Sequence, residues 1–227
     1  MPRFAATGHT RPLTRFLCCA ITAWLTLGCN FTQGESQLDT SALGQAIEQA
    51  RLSSWRNLIA QSATLDERGK LQAVNDLINR SVSYASDQDV WGLDEYWATP
   101  LQTLTRGRGD CEDFAIGKYF TLVEMGVPSE KLRLTFVKAL STSQAHMVLA
   151  YYPSPAAQPL ILDSLDRQIK PAGERRDLLP VYAFNDLGVF LAKTPQHASQ
   201  PPQFLARWSE LSERAMADGS VAAVPRG

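Results

Sequence analysis

Apolar residues recur at helical spacing through the first part of the chain and alternate through the second. From Ser41 to Ala60, Leu43, Ile47, Leu58 and Ile59 fall on one stripe with Trp55 beside it. Thr64-Leu65-Asp66-Glu67 has the Ser/Thr-x-x-Glu form of a capping box, and Leu71, Val74, Leu77 and Ile78 follow as one helical face. Ser83 to Arg108 reads as loop, dense in Trp91, Tyr96 and Trp97, rings that gain most by pinning the loop to the core. From Asp113 to Glu124, Ala115, Tyr119 and Leu122 predict a third helix, which Gly126 and Pro128 stop. The period then changes to two. Lys131 to Leu140, Ala145 to Tyr152 and Leu160 to Leu165 read as strands, with a Pro/Ser-rich turn at Pro153 to Pro159. Val181 to Phe184 and Val189 to Ala192 form a further hairpin about Asn185-Asp186, and Phe204, Trp208 and Leu211 mark a short C-terminal amphipathic helix. Helices followed by an antiparallel sheet give an α+β fold.

Composition refines the picture at the N-terminus. Arg3, Arg11 and Arg15 precede an uncharged, largely apolar run from Phe16 to Leu27, which suits a signal-peptide core and is short of a membrane-spanning helix. Residues 1–29 are therefore expected to be an export leader. Cys29 after Thr26-Leu27-Gly28 resembles a lipoprotein acylation site, Thr26 and Gly28 suit ordinary signal-peptidase cleavage, and an uncleaved signal anchor is a third route. Each implies the periplasm, with lipid anchoring through Cys29 in the first. Residues 30–200 form one expected domain and 201–227 a tail. Setting the three leader arginines aside takes the net charge from −1 to −4, which argues against nucleic acid as a partner. The mature part lacks an even set of cysteines and so has no disulfide framework.

What remains for chemistry is sparse. Cys18, Cys19 and Cys29 belong to the leader region, so Cys111 is the one thiol of the body. It sits in Gly109-Asp110-Cys111-Glu112-Asp113, at the start of the predicted third helix. A lone cysteine with a distant histidine and acid is either a nucleophile or an inert buried thiol. His9 lies in the leader and His197 in a polar Pro-containing segment, which leaves His146 on the second strand. A hairpin centred on residues 154–156 sets His146 against residues 163–166, a window holding Asp163 and Asp166. Asp163 follows Leu160-Ile161-Leu162 and inherits the fixed position of an apolar strand, so it is the expected partner.

The acids beside the thiol pose an electrostatic question. Asp110 is placed to cap the helix, with Cys111 in its first turn. A helix N-terminus lowers a thiol pKa, whereas three nearby carboxylates raise it. Asp110, Glu112 and Asp113 either complement the helix dipole or contribute hard oxygen ligands to Ca²⁺, with loop carbonyls completing the shell.

The strings Tyr96-Trp97-Ala98-Thr99-Pro100 and Gly107-Arg108-Gly109-Asp110-Cys111-Glu112-Asp113-Phe114-Ala115 resemble the bacterial transglutaminase-like cysteine proteinases. Within them the chain is similar to LapG-type periplasmic proteases that release large biofilm adhesins, over roughly Ser53 to Leu191. Ala145-His146-Met147-Val148 and Leu162-Asp163-Ser164-Leu165 match the remaining triad positions. The resemblance implies a papain-like, transglutaminase-type core with the nucleophile at a helix N-terminus and a Cys111-His146-Asp163 triad. It further implies calcium dependence, with Ca²⁺ at Asp110, Glu112 and Asp113, and cleavage of a surface adhesin near its N-terminus at an Ala-Ala site. An inner-membrane cyclic di-GMP receptor is the implied inhibitory partner. Amine transfer by the same triad and a non-catalytic calcium-dependent binding module are the alternatives.

Overall fold

The computed structural model describes residues 40–191 and 202–222. The leader, Cys29 and His197 lie outside the described residues. Helix α1 spans Thr40–Ala60, α2 Glu67–Ser81, α3 Asp87–Trp91, α4 Pro100–Arg106, α5 Cys111–Glu124 and α6 Pro202–Ala217. A two-residue strand β1 (Ser83–Tyr84) pairs in parallel with β2 (Arg108–Gly109). The main sheet comprises β3 (Leu132–Ala139), β4 (Gln144–Tyr151), β5 (Leu160–Leu162), β6 (Lys170–Pro171), β7 (Leu178–Asn185) and β8 (Gly188–Leu191), antiparallel throughout in the order β6-β5-β4-β3-β7-β8. This is the expected α+β architecture, and the six-stranded sheet is open.

Alternation along β4 decides what each sheet face meets. Met147, Leu149 and Tyr151 enter the main core with Ile116, Tyr119 and Phe120 of α5. Val148 and Ala150 point the other way, into a smaller cluster with Val137 and Ile161. α5 is thus the central helix, buried from Asp113 to Leu122, with α2 packed behind it through Leu71, Val74 and Ile78. α6 is more than a tail. Trp208 stacks on Phe120 at 5.5 Å and meets Tyr119 and Phe184 edge-on, while Leu211 and Ala215 are fully buried.

Two details depart from the pattern reading. Asp66 caps α2 through Gly69 N–H, so Thr64 belongs to the preceding 3₁₀ turn and not to a capping box. The stretch read as loop between Ser83 and Arg108 contains α3 and α4. Thr99 and Gln102 form a capping box at the start of α4, with Pro100 at its first position. The helix closes at Gly107, whose φ of +64° and lack of a side chain admit the Arg51 guanidinium. Arg51 donates from there to the carbonyls of Leu104 and Thr105 and ties α1 to α4.

Candidate active site

Asp110 takes the N-cap position of α5 and accepts from Glu112 N–H at 3.2 Å, which fixes Cys111 as the first helical residue. The thiol is half-buried. Cys111 packs against the core cluster that holds Met147, the residue that follows His146, and the Met147 backbone N–H works to lower the thiol pKa. His146 is 6% exposed, and its Nε2 lies 2.7 Å from Asp163 Oδ1. With Nε2 engaged, Nδ1 is the ring nitrogen left for proton exchange. The β4–β5 ladder ends at Leu149↔Leu162. Continued further, that register would set Leu165 against His146. Instead the chain leaves the ladder, and Asp163 Oδ1 also accepts from Leu165 N–H at 3.1 Å. Asp166, the other acid of the window, pairs with Lys170 at 2.7 Å in a half-exposed setting.

Asp163 is held from every side. Its Oδ2 accepts from Arg175 Nη2 at 2.7 Å, and its carbonyl accepts from Asn79 Nδ2 and Lys118 Nζ, both at 2.9 Å. Burial works to raise its pKa, but hydrogen bonds and charge from His146 and Arg175 outweigh it and hold the carboxyl well below the usual range. Arg175, Asn79 and Lys118 carried no signal in the sequence. Asn79 and Lys118 lie on the buried faces of α2 and α5, and Arg175 reaches Asp163 only because β6 returns along β5.

The acids form a second constellation. Asp87, Asp110 and Asp113 each offer a carboxylate oxygen, and these atoms lie within 4.8 Å of one another. Asp87 is a residue the sequence did not single out, and it stands where Glu112 was expected. The Glu112 carboxylate instead accepts from Cys111 Sγ at 2.7 Å. The sequence reading names Asp110, Glu112 and Asp113 as calcium ligands; the convergent oxygens are those of Asp87, Asp110 and Asp113, while the Glu112 carboxylate faces the thiol.

The cluster has the marks of a cation site. Tyr96 N–H engages Asp87 Oδ2 at 2.6 Å and Ala98 N–H engages Asp113 Oδ1 at 2.9 Å. The other oxygens, Asp87 Oδ1 and Asp113 Oδ2, are buried without a hydrogen-bond donor. Gly109 leaves room beside them, because a Cβ there would stand 2.5 Å from Asp113 Oδ2. Unneutralised, the group is costly. Burial, reinforced by Glu112, pushes Asp110 up to about 9; burial pushes Asp113 up to about 7 and raises Asp87. Burial, with the charge of Glu112 next, likewise drives the Cys111 thiol upward. Three convergent carboxylates with orphaned buried oxygens fit a hard divalent cation.

A family profile described as bacterial transglutaminase-like cysteine proteinase (BTLCP) matches residues 49–175. Among solved structures, LapG of Legionella pneumophila is 42% identical, with a TM-score of 0.65 over 76% of this chain and 93% of that one. A calcium-bound structure of the same protein is 43% identical, with a TM-score of 0.65 over 77% and 96%, and an EGTA-treated one is 43% identical, with a TM-score of 0.66 over 76% and 94%. No curated protein matches the chain.

Proposed function

This chain belongs to the bacterial transglutaminase-like cysteine proteinases, and from that premise we propose that Cys111, His146 and Asp163 are the triad of a calcium-dependent endopeptidase. The observation that carries the reading is the meeting of two elements. The thiol at the start of α5 lies against the β4 backbone next to a histidine whose Nε2 is held by a buried aspartate.

Asp163 accepts a hydrogen bond from Nε2–H and so keeps Nδ1 as the unprotonated, basic nitrogen. Nδ1 takes the Cys111 proton, and the thiolate adds to the scissile carbonyl. The Cys111 backbone N–H, free at the helix start, is the donor proposed for the oxyanion. Collapse expels the amine with the proton returned by His146. Water, deprotonated by the same nitrogen, hydrolyses the thioester and restores the thiol. Glu112 must leave the sulfur for this to begin. Asp87, Asp110 and Asp113 would hold the Ca²⁺, which when bound supplies positive charge against the carboxylates that oppose thiolate formation.

The substrate we propose is a large surface adhesin cut near its N-terminus at an Ala-Ala site, in the periplasm, with release of the adhesin and dispersal of biofilm. An inner-membrane cyclic di-GMP receptor is the proposed inhibitory partner. The identity to LapG over most of both chains supports this. Among the described residues no helix is long and apolar enough to cross a membrane. The test is incubation of the purified chain with N-terminal adhesin fragments, followed by sequencing of the new N-terminus. Cleavage at the small-residue pair that is lost in Cys111→Ala and in EGTA supports the reading. Equal cleavage by Cys111→Ala overturns it.

A further inference from the structure

The peptide group joining Trp97 to Ala98 lies between two charges. Its N–H donates to Asp113 Oδ1 at 2.9 Å, and its carbonyl oxygen accepts from Arg214 Nη2 at 2.7 Å. A cation on the oxygen of an amide polarises the group and strengthens its N–H as a donor. The same guanidinium donates from Nη1 to Tyr96 Oη at 2.8 Å and to Gln102 Oε1 at 3.1 Å, and it lies 4.8 Å from the Tyr96 ring centroid. Tyr96 in turn gives its backbone N–H to Asp87 Oδ2. Two of the three clustered carboxylates are therefore aimed by the amides of Tyr96 and Ala98, in a loop segment that one α6 side chain holds. Below Arg214 the fastening continues. Asp218 Oδ2 accepts from Thr99 Oγ1 at 2.5 Å, and Ser220 Oγ accepts from Leu101 N–H at 3.1 Å.

We propose that Arg214 is a positioning residue of the cation site, acting through the Trp97–Ala98 peptide on Asp113 and through Tyr96 on Asp87. The proposal rests on the calcium reading above. It assigns a role in ion affinity to a helix that lies beyond the residues matched by the family. The physical reason is that each carboxylate has one oxygen tied by a loop amide and the other turned inward without a donor. Rotation of the loop peptide would release Asp113 and spread the cluster. Such outer contacts fix the direction of ligand oxygens, and their loss weakens metal binding by about 10- to 100-fold.

The test is calcium titration of the purified chain by calorimetry, with the calcium-induced rise in melting midpoint as a second readout. Arg214→Gln should weaken calcium binding about 10- to 100-fold. Arg214→Lys, which keeps the charge but cannot span Trp97 and Tyr96 together, should recover part of the loss. Glu213→Gln, on the exposed side of α6, should bind as the wild type does. Should Arg214→Gln fail to fold, Arg214→Lys stands in, because it cannot span Trp97 and Tyr96 together, and a severalfold loss of affinity is the result expected. Wild-type affinity in Arg214→Gln, or in Arg214→Lys when that variant stands in, overturns the proposal alone. Absence of calcium binding by the wild-type chain overturns the calcium reading and this proposal with it.

Discussion

Lys118 is wholly buried on α5, and its ammonium donates to the Asp163 carbonyl. Burial pulls its pKa down to about 7, against the attraction of Asp163. The unfolded chain holds that proton up to the ordinary lysine range, so between about pH 7 and 10 the unfolded state binds more protons than the folded one. Stability contributed through this group therefore rises with pH across that window. In Lys118→Met this contribution is absent, and the stability difference between wild type and variant should move in favour of the wild type from pH 7 to pH 9. Urea unfolding of both proteins at the two pH values measures it; a difference independent of pH would mean that Lys118 stays charged in the fold. The acid it supports makes a sharper prediction. Asp163→Asn exchanges an acceptor for an amide facing His146 Nε2 and should lower kcat by about 10⁴, as the equivalent change does in a serine triad. Asp166→Asn, whose partner is Lys170 at the surface, should leave kcat within a few-fold. Steady-state cleavage of one peptide by both variants decides between them. The pairing of Asp163 with His146 was legible because Asp163 directly follows an apolar strand, a local pattern, and Cys111 stood out as the candidate nucleophile because so little else could react. Asp87, Arg175 and Lys118 were not legible. Their partners lie on other elements, and no periodicity encodes an encounter made by tertiary packing.

Elements with a strong apolar period were readable to within a few residues; those defined by caps and tertiary contacts were not. β3 and β4 follow their alternation, and α5 starts at the thiol because Asp110 closes its first turn. α3 and α4 have five and seven residues, too few for a face to repeat, and only their caps mark them, Ser86 with Asp89 for α3 and Thr99-Pro100 with Gln102 for α4. Short β2 is where backbone spacing serves the site. Gly109→Ala would drive a Cβ to 2.5 Å from Asp113 Oδ2 and 2.8 Å from Asp113 Cβ, and fully buried Asp113 has nowhere to retreat. We expect a loss of about 1–3 kcal/mol in calcium-free protein, as for other overpacked interiors, together with weaker calcium binding. Denaturant titration in EGTA reads the first effect and calorimetry the second. At α6, Trp208 is 8% exposed and closes the aromatic group of Tyr119, Phe120 and Phe184. Trp208→Ala should cost about 3–5 kcal/mol by the same denaturant measurement. A loss under 1 kcal/mol would mean that this helix contributes little to the core, contrary to its packing.

For the whole molecule, an ion held by the acid cluster as proposed would couple its binding to folding. Asp87 on α3, Asp110 at the start of α5 and Asp113 on its first turn come together only when the loop between α3 and α4 is in place. The unfolded chain has the same acids but no convergent site, so a cation that binds the fold stabilises it by mass action. At a free calcium concentration 100 times Kd the gain is about 2.7 kcal/mol. Melting followed in excess EGTA and again with graded Ca²⁺ should therefore show a midpoint that climbs with the logarithm of calcium. Mg²⁺ at equal concentration should shift it much less, because a smaller ion requires tight octahedral geometry and keeps its waters. The direction of the pH effect follows from the same carboxyls. Asp110 and Asp113 carry raised pKa values in the ion-free fold, so protons compete with calcium, and the calcium-induced shift should grow as pH rises from 6 to 9. Asp87→Ala should abolish the shift as fully as Asp110→Ala, whereas Glu112→Ala should retain most of it, since the Glu112 carboxylate faces the thiol. If Glu112→Ala loses the shift and Asp87→Ala keeps it, the ion sits on the nucleophile side of α5, and Asp87 is buried for another reason.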